Sequence, residues 1–143
     1  MFDLDGVLSD AAGRQHFLDD TRGRKDWRAF FDACGDDPLI AETARLLELL
    51  DPDLVVVLLT ARPLRVQAET LAWLERYRVR WDVLVMRPGN EQRPTAVFKT
   101  EVVTGLREQG FDVQLVFEDD RRNIAALRAT GVRCVYLHSG YYD

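Results

Sequence analysis

Four short runs of apolar, largely β-branched residues punctuate this chain: DLVVVLLT (53–60), WDVLVM (81–86), VQLVF (113–117) and VRCVYL (132–137). Their apolar character is nearly continuous rather than alternating, which is what strands buried on both faces require. Between and around them lie segments with helical spacing: LIAETARLLELL (39–50), PLRVQAETLAWLERY (63–77), AVFKTEVVTGLREQG (96–110) and RRNIAALRATG (121–131). Pro63 suits a first helical position, and Gly110 and Gly131 suit the residue just past a helix end. Strand and helix in strict alternation predict an α/β fold, a parallel sheet with helices on both faces. At 143 residues the chain is expected to form one domain, 1–143.

Two stretches depart from the alternation. A first strand should precede DLDG, yet only Met1 and Phe2 stand before Asp3. A central strand usually takes about five residues, so a segment upstream of Met1 is expected in the natural chain. Residues 9–38 form a long polar insert with one short helix around DWRAFFDACG, and a loop of that length inside a compact domain is usually functional or mobile.

Ligands of parallel α/β sheets bind beyond the C-terminal ends of the strands. The first strand delivers Asp3 and Asp5 there, the second Thr60, Ala61 and Arg62, and the fourth Glu118, Asp119 and Asp120; Lys99 lies early in the helix that leads to the fourth strand. Five acids converging on one crevice repel one another unless a divalent cation joins them. Mg²⁺, with its preference for hard oxygen ligands, is the expected cofactor. Alone, EDD reads as a helix cap. Together with the acids of the first strand it reads as a metal site that acts on phosphate.

The net charge of −5 argues against non-specific nucleic-acid binding by charge alone. Seventeen of the nineteen basic residues are arginine, which suits phosphate recognition and equally reflects composition bias. No apolar stretch is long enough to span a membrane, and no secretory leader is visible. Cys34 and Cys134 fit no metal spacing and read as thiols in a reducing, cytoplasmic setting.

DLDGV (3–7), LLTAR (58–62), FK (98–99) and FEDD (117–120) resemble, in order and spacing, the four motifs of the haloacid dehalogenase-like (HAD) superfamily. The resemblance implies a Rossmann-like three-layer sandwich with sheet order 3-2-1-4-5. It also implies roles. Asp3 would be the nucleophile that forms an aspartyl-phosphate, and Asp5 the general acid and then base. Asp3, the backbone carbonyl of Asp5 and Asp119 would ligate Mg²⁺, with Glu118 or Asp120 supporting from behind. Thr60 would donate to a phosphate oxygen, and Lys99 would offset the charge of nucleophile and phosphate. Large lids in this superfamily enter after the first strand or before the fourth-strand helix. The second place holds only RPGNEQRPT (87–95), so the cap is minimal and the site open.

The chain is similar, more closely, to the 3′-phosphatase domain of bacteriophage-type polynucleotide kinase/phosphatases. DLDGVLSDAAGR and TAR place Arg14 and Arg62 where that family keeps arginines, and residues 111–140 match its C-terminal segment through Ser139 and Gly140. The resemblance implies that Arg14 and Arg62 bind the phosphate and that the substrate is a nucleic-acid 3′ end. Three features depart from it. Thr95 and Ala96 stand where that family has acids, Val7 replaces a threonine, and no phosphate-binding kinase loop occurs. Any kinase partner must be a separate chain or lie upstream. RGRKDWR (22–28) offers a backbone contact with Trp27 as a stacking face, or equally a solvated helix start with a core tryptophan. A phosphatase of small metabolites such as nucleotides or sugar phosphates is the alternative, and a catalytically quiet binding module a third reading.

Overall fold

The computed structural model describes residues 1–19 and 25–142. Four parallel strands occupy the centre: β1 (Val57–Pro63), β2 (Val83–Arg87), β3 (Val116–Glu118) and β4 (Cys134–Tyr136). β1 pairs with β2 and β3 with β4, both in parallel register. Phe2 ties the pairs together through parallel bridges to Leu58 of β1 and Phe117 of β3, its ring stacked on that of Phe117 at 4.3 Å. The N-terminal segment therefore contributes a single bridging residue between the inner strands.

Side chains alternate across a strand, and here that rule sorts the helices into two layers. Leu58 and Phe117 face one side, where they pack with Phe2 and Leu4 against Leu47 of α2 (Ala41–Glu48) and Trp73 and Leu74 of α3 (Gln67–Arg76). Leu59 and Val116 face the other, against Phe98 and Val103 of α4 (Thr95–Glu108) and Leu127 of α5 (Arg121–Ala129). The result is the mixed α/β architecture with parallel strands expected of the alternation. Glycine ends two helices as expected: Gly110 (φ 93°) follows α4 and Gly131 (φ 78°) follows α5.

Two boundaries differ from expectation. The apolar run 53–60 does not become strand until Val57, because residues 51–54 form a turn and one guanidinium gathers the carbonyls in and before it: Arg80 donates to Leu50, Asp51, Pro52 and Leu54. Pro63 does not open a helix. It ends β1 in extended conformation (φ −71°, ψ 151°), and a tight turn over Leu64–Val66 precedes α3.

The insert opens with a 3₁₀ turn (Ala11–Phe17) capped by Asp10, and carries the short helix α1 (Trp27–Asp32) capped by Asp26. Arg22, Gly23 and Arg24 of the basic stretch lie outside the described residues. No helix among the described residues is long and apolar enough to cross a membrane.

Candidate active site

The chain turns sharply after Phe2, and the turn aims two carboxylates in different directions. The N–H groups of Val7, Leu8 and Ser9 all bond the carbonyl of Leu4, while Gly6 takes a left-handed conformation (φ 81°). A methyl group on Gly6 would sit 1.9 Å from Oδ2 of Asp119. Gly6 is thus required twice, for its backbone and for the approach of Asp119. Gly6→Ala should displace the Asp119 carboxylate and lower phosphatase activity by about 100-fold or more, read as phosphate release beside a thermal melt.

Asp3 lies at the floor of the site. Its Oδ1 accepts the N–H of Leu4 (2.8 Å), and its Oδ2 pairs with Nζ of Lys99 (2.6 Å). The same ammonium pairs with Oε2 of Glu118 at 2.6 Å. Glu118 is also bonded through Oε1 to the backbone N–H groups of Asp119 and Asp120. Asp119 differs: both of its oxygens are buried without a hydrogen bond of normal geometry among the described residues, with Ser139 alongside. Asp3, Glu118 and Asp119 each present a carboxylate oxygen within 4.8 Å of the others.

Three buried carboxylates share one ammonium, and the protonation equilibria reflect it. Burial first, and then the charges of Glu118 and Asp119, push the Asp3 carboxyl well above its ordinary range, against the pull of Lys99. Burial pushes Asp119 up to about 7. Burial also disfavours the Lys99 ammonium, but Asp3 and Glu118 outweigh it and hold the amine protonated. Glu118 is likewise disfavoured by burial and brought below its usual range by Lys99. Such a cluster is short of positive charge. The orphaned Asp119 oxygens fit a hard divalent cation, which takes oxygen ligands of this kind.

Asp5 belongs to a second network. Its Oδ1 accepts from Nη2 of Arg14 (2.5 Å) and from Nε (2.9 Å) and Nη2 (2.6 Å) of Arg62. Its Oδ2 accepts no hydrogen bond among the described residues, and the residue lines the open pocket. Both guanidinium groups are buried, and both continue to Asp37: Arg14 through Nε and Nη2, Arg62 through Nη2. Ser9 Oγ joins by donating to Asp37 and accepting from Arg62. Burial alone would raise the Asp5 pKa, but Arg62 and Arg14 outweigh it and hold the carboxyl below its usual 3.8. A depressed acid pKa stabilises the fold above the unfolded value and loses that contribution as pH falls through the folded one. The melting temperature should therefore fall as pH drops below about 4, and Asp5→Asn should flatten that dependence.

Thr60, fully buried at the end of the regular part of β1, accepts the N–H of Arg62 through Oγ1. Asp120 caps α5 through the N–H of Arg122 and pairs with that side chain. The sequence-selected residues thus fall into two adjoining groups: Asp3, Lys99, Glu118 and Asp119 in one, Asp5, Arg14 and Arg62 in the other. Thr60 and Asp120 lie at neighbouring strand ends. Asp37 and Ser9 were missed. DDP before a helix reads as a turn, and only two buried arginines in need of counter-charge would have flagged Asp37. Arg87 was missed too, although it ends β2 on the same side of the sheet and the strand-end rule points to it.

Above the carboxylates opens a pocket of about 840 Å³. Its walls include Trp27, Phe30 and Phe31 of α1, Arg87 of β2, Arg121 and Arg122 of α5, and Tyr141 and Tyr142 of the C-terminal segment.

A parallel α/β sheet that delivers paired aspartates, a threonine, a buried lysine and an acidic turn to one rim is the arrangement of a HAD-type phosphatase. A family model described as the polynucleotide kinase PNKP phosphatase domain matches residues 1–142. The chain belongs to that family. No curated protein sequence matches it. Among solved structures, a Pnkp1/Rnl/Hen1 complex superimposes with a TM-score of 0.80 at 24% identity, covering 99% of this chain and 45% of that one. The Pnkp1/Rnl/Hen1 RNA repair complex gives a TM-score of 0.77 at 23% identity, covering 96% and 41%. The chain thus spans less than half the length of either relative, and at these identities the likeness is one of fold.

Proposed function

We propose that this phosphatase is Mg²⁺-dependent, works through an aspartyl-phosphate on Asp3, and removes phosphate from the 3′ ends of nucleic acid. The observation that carries the reading is Asp3 itself, a buried carboxylate at the floor of an open pocket with Lys99 on one oxygen and the unbonded Asp119 oxygens beside it.

Asp3, the backbone carbonyl of Asp5 and Asp119 would hold the cation. Glu118, whose oxygens are taken by Lys99 and two N–H groups, supports from behind, as does Asp120. When bound, the cation neutralises the acidic cluster and draws charge from the phosphoryl oxygens. An Asp3 oxygen attacks phosphorus, an O–P bond forms, and the bond to the ester oxygen breaks. Asp5, which Arg62 and Arg14 hold ionised until substrate arrives, takes up a proton as the negative phosphate settles beside it and gives that proton to the leaving oxygen. Water then attacks the phosphoryl group, Asp5 takes that water's proton, and the Asp3 carboxylate returns with release of inorganic phosphate.

Oδ2 is the Asp5 oxygen free for both transfers, since Arg14 and Arg62 hold Oδ1. In this reading the two arginines act through Asp5, fixing the carboxylate that moves the proton, rather than by taking the phosphate first-hand. Thr60 and Lys99 supply donor and charge to the transferring group. Pnkp1 is known in an RNA repair complex, and we place this chain in the same kind of work, end healing. A kinase supplied by another domain or chain would complete it.

A substrate panel tests this directly. Phosphate release should be fastest from a 3′-phosphorylated oligonucleotide, should stop with chelator and should return with Mg²⁺. No release from the oligonucleotide, with turnover of mononucleotides or sugar phosphates, would instead make the chain a metabolite phosphatase.

A further inference from the structure

Arg14 and Arg62 are spent on Asp5 and Asp37, so another cation must meet a substrate in the pocket. Of the cations on its walls, Arg122 is matched by Asp120, and Lys25 and Arg121, which pair with no carboxylate among the described residues, are exposed to solvent. Arg87 has no carboxylate within 4 Å among the described residues. Its Nη2 donates to the carbonyl of Arg93 (2.9 Å) and to Thr95 Oγ1 (3.2 Å), yet its Nε is buried without an acceptor. A buried N–H left unpaired is costly, and burial, opposed by Glu91, pulls the guanidinium below its usual pKa. An anion at Arg87 would relieve both. The guanidinium is also held over the ring of Phe98 at 5.6 Å, which fixes its place at the pocket wall.

On α1, Trp27 is 51% exposed, far from the core position one reading of the sequence allowed. An exposed tryptophan on a pocket wall is unusual, and this one is braced. It packs against Phe31 (centroids 6.0 Å, 27° between planes) and edge-on to Phe30 (5.7 Å, 79°). Phe30 is in turn backed by the Arg14 guanidinium at 4.1 Å, and its carbonyl accepts from Arg14 Nη1. The arginine that holds Asp5 also holds the aromatic platform, so platform and proton-transfer group keep one geometry.

We propose that Trp27 and Arg87 bind the strand next to the scissile phosphate, Trp27 stacking on the base of the terminal nucleoside and Arg87 taking the neighbouring backbone phosphate. This rests on the 3′-end reading above and deepens it. Base stacking is indifferent to sequence, and a backbone contact carries no sequence information. The site therefore selects a strand end over a mononucleotide without preferring particular bases.

The test is equilibrium binding of a labelled, 3′-phosphorylated single-stranded oligonucleotide to the full chain carrying Asp3→Asn, which prevents turnover. Adding Trp27→Ala should weaken binding about 10-fold with the salt dependence unchanged. Adding Arg87→Gln should weaken it by a similar factor and make the slope of log K against log salt shallower by about 0.7. Trp27→Phe should recover most of the affinity, and Arg87→Lys should keep the slope. Affinity within about two-fold of the parent in both variants, an unchanged slope in Arg87→Gln, or Trp27→Phe as weak as Trp27→Ala would each overturn the proposal. Those results leave the 3′-phosphatase reading standing if the wild-type chain still dephosphorylates the oligonucleotide. If it does not, that reading fails first.

Discussion

Asp3→Asn is expected to cut phosphate release by about 10⁴-fold or more while leaving the fold as stable as before. The two halves of that expectation have different causes. Asparagine has the shape of aspartate but no charge to attack phosphorus, so the covalent route closes. Stability is spared because the ionised Asp3 carboxylate is a burden on the empty fold. Burial and the neighbouring acids raise its pKa, so folding disfavours the charged form relative to an exposed carboxylate. Lys99 keeps Glu118 as its partner. The melting temperature without metal should stay level or rise, measured beside phosphate release on the same sample. Substantial hydrolysis by the variant would remove Asp3 as nucleophile.

Lys99→Met should do the reverse, and destabilise the protein heavily. Lys99 is fully buried and its ammonium is the sole cation in contact with the Asp3–Glu118–Asp119 cluster among the described residues. Removing one partner of a buried pair costs about 3–5 kcal/mol, because the other charge is left without compensation. In a chain of this size that lowers the melting temperature by roughly 10 °C in chelator. Activity should fall as well, since the phosphoryl group loses a nearby positive charge. Mg²⁺ should recover more melting temperature in the variant than in the wild type, because the cluster then has no other cation. A variant that melts within about 1 °C of wild type would mean that Lys99 does not balance the cluster.

Much of this architecture can be read from the residues, for a physical reason. Strands buried on both faces must be apolar throughout, so their runs stand out, and helices that cover a sheet must carry apolar residues at helical spacing. What periodicity does not record is where a long-range contact cuts an element short. The run 53–60 loses its first half because Arg80, from beyond the next helix, gathers the carbonyls of Leu50, Asp51, Pro52 and Leu54.

The site shows the same division. Asp3, Asp5 and Asp119 stand where strand ends place them, and Lys99 where the first turns of α4 do. Asp37 is invisible in one dimension: its role follows from burying Arg14 and Arg62 side by side, and each of those needs a counter-charge. Trp27 could have been core or surface by its spacing, and α1 decides it by turning the ring to the pocket.

The most direct test of the central claim, that Asp3 accepts the phosphoryl group beside a cation held by Asp119, is a crystal structure grown with Mg²⁺ and beryllium fluoride. The account predicts trifluoroberyllate bonded to an Asp3 oxygen and the metal in contact with Asp119. Fluoroberyllate bound away from Asp3, or a metal that does not touch Asp119, would contradict it.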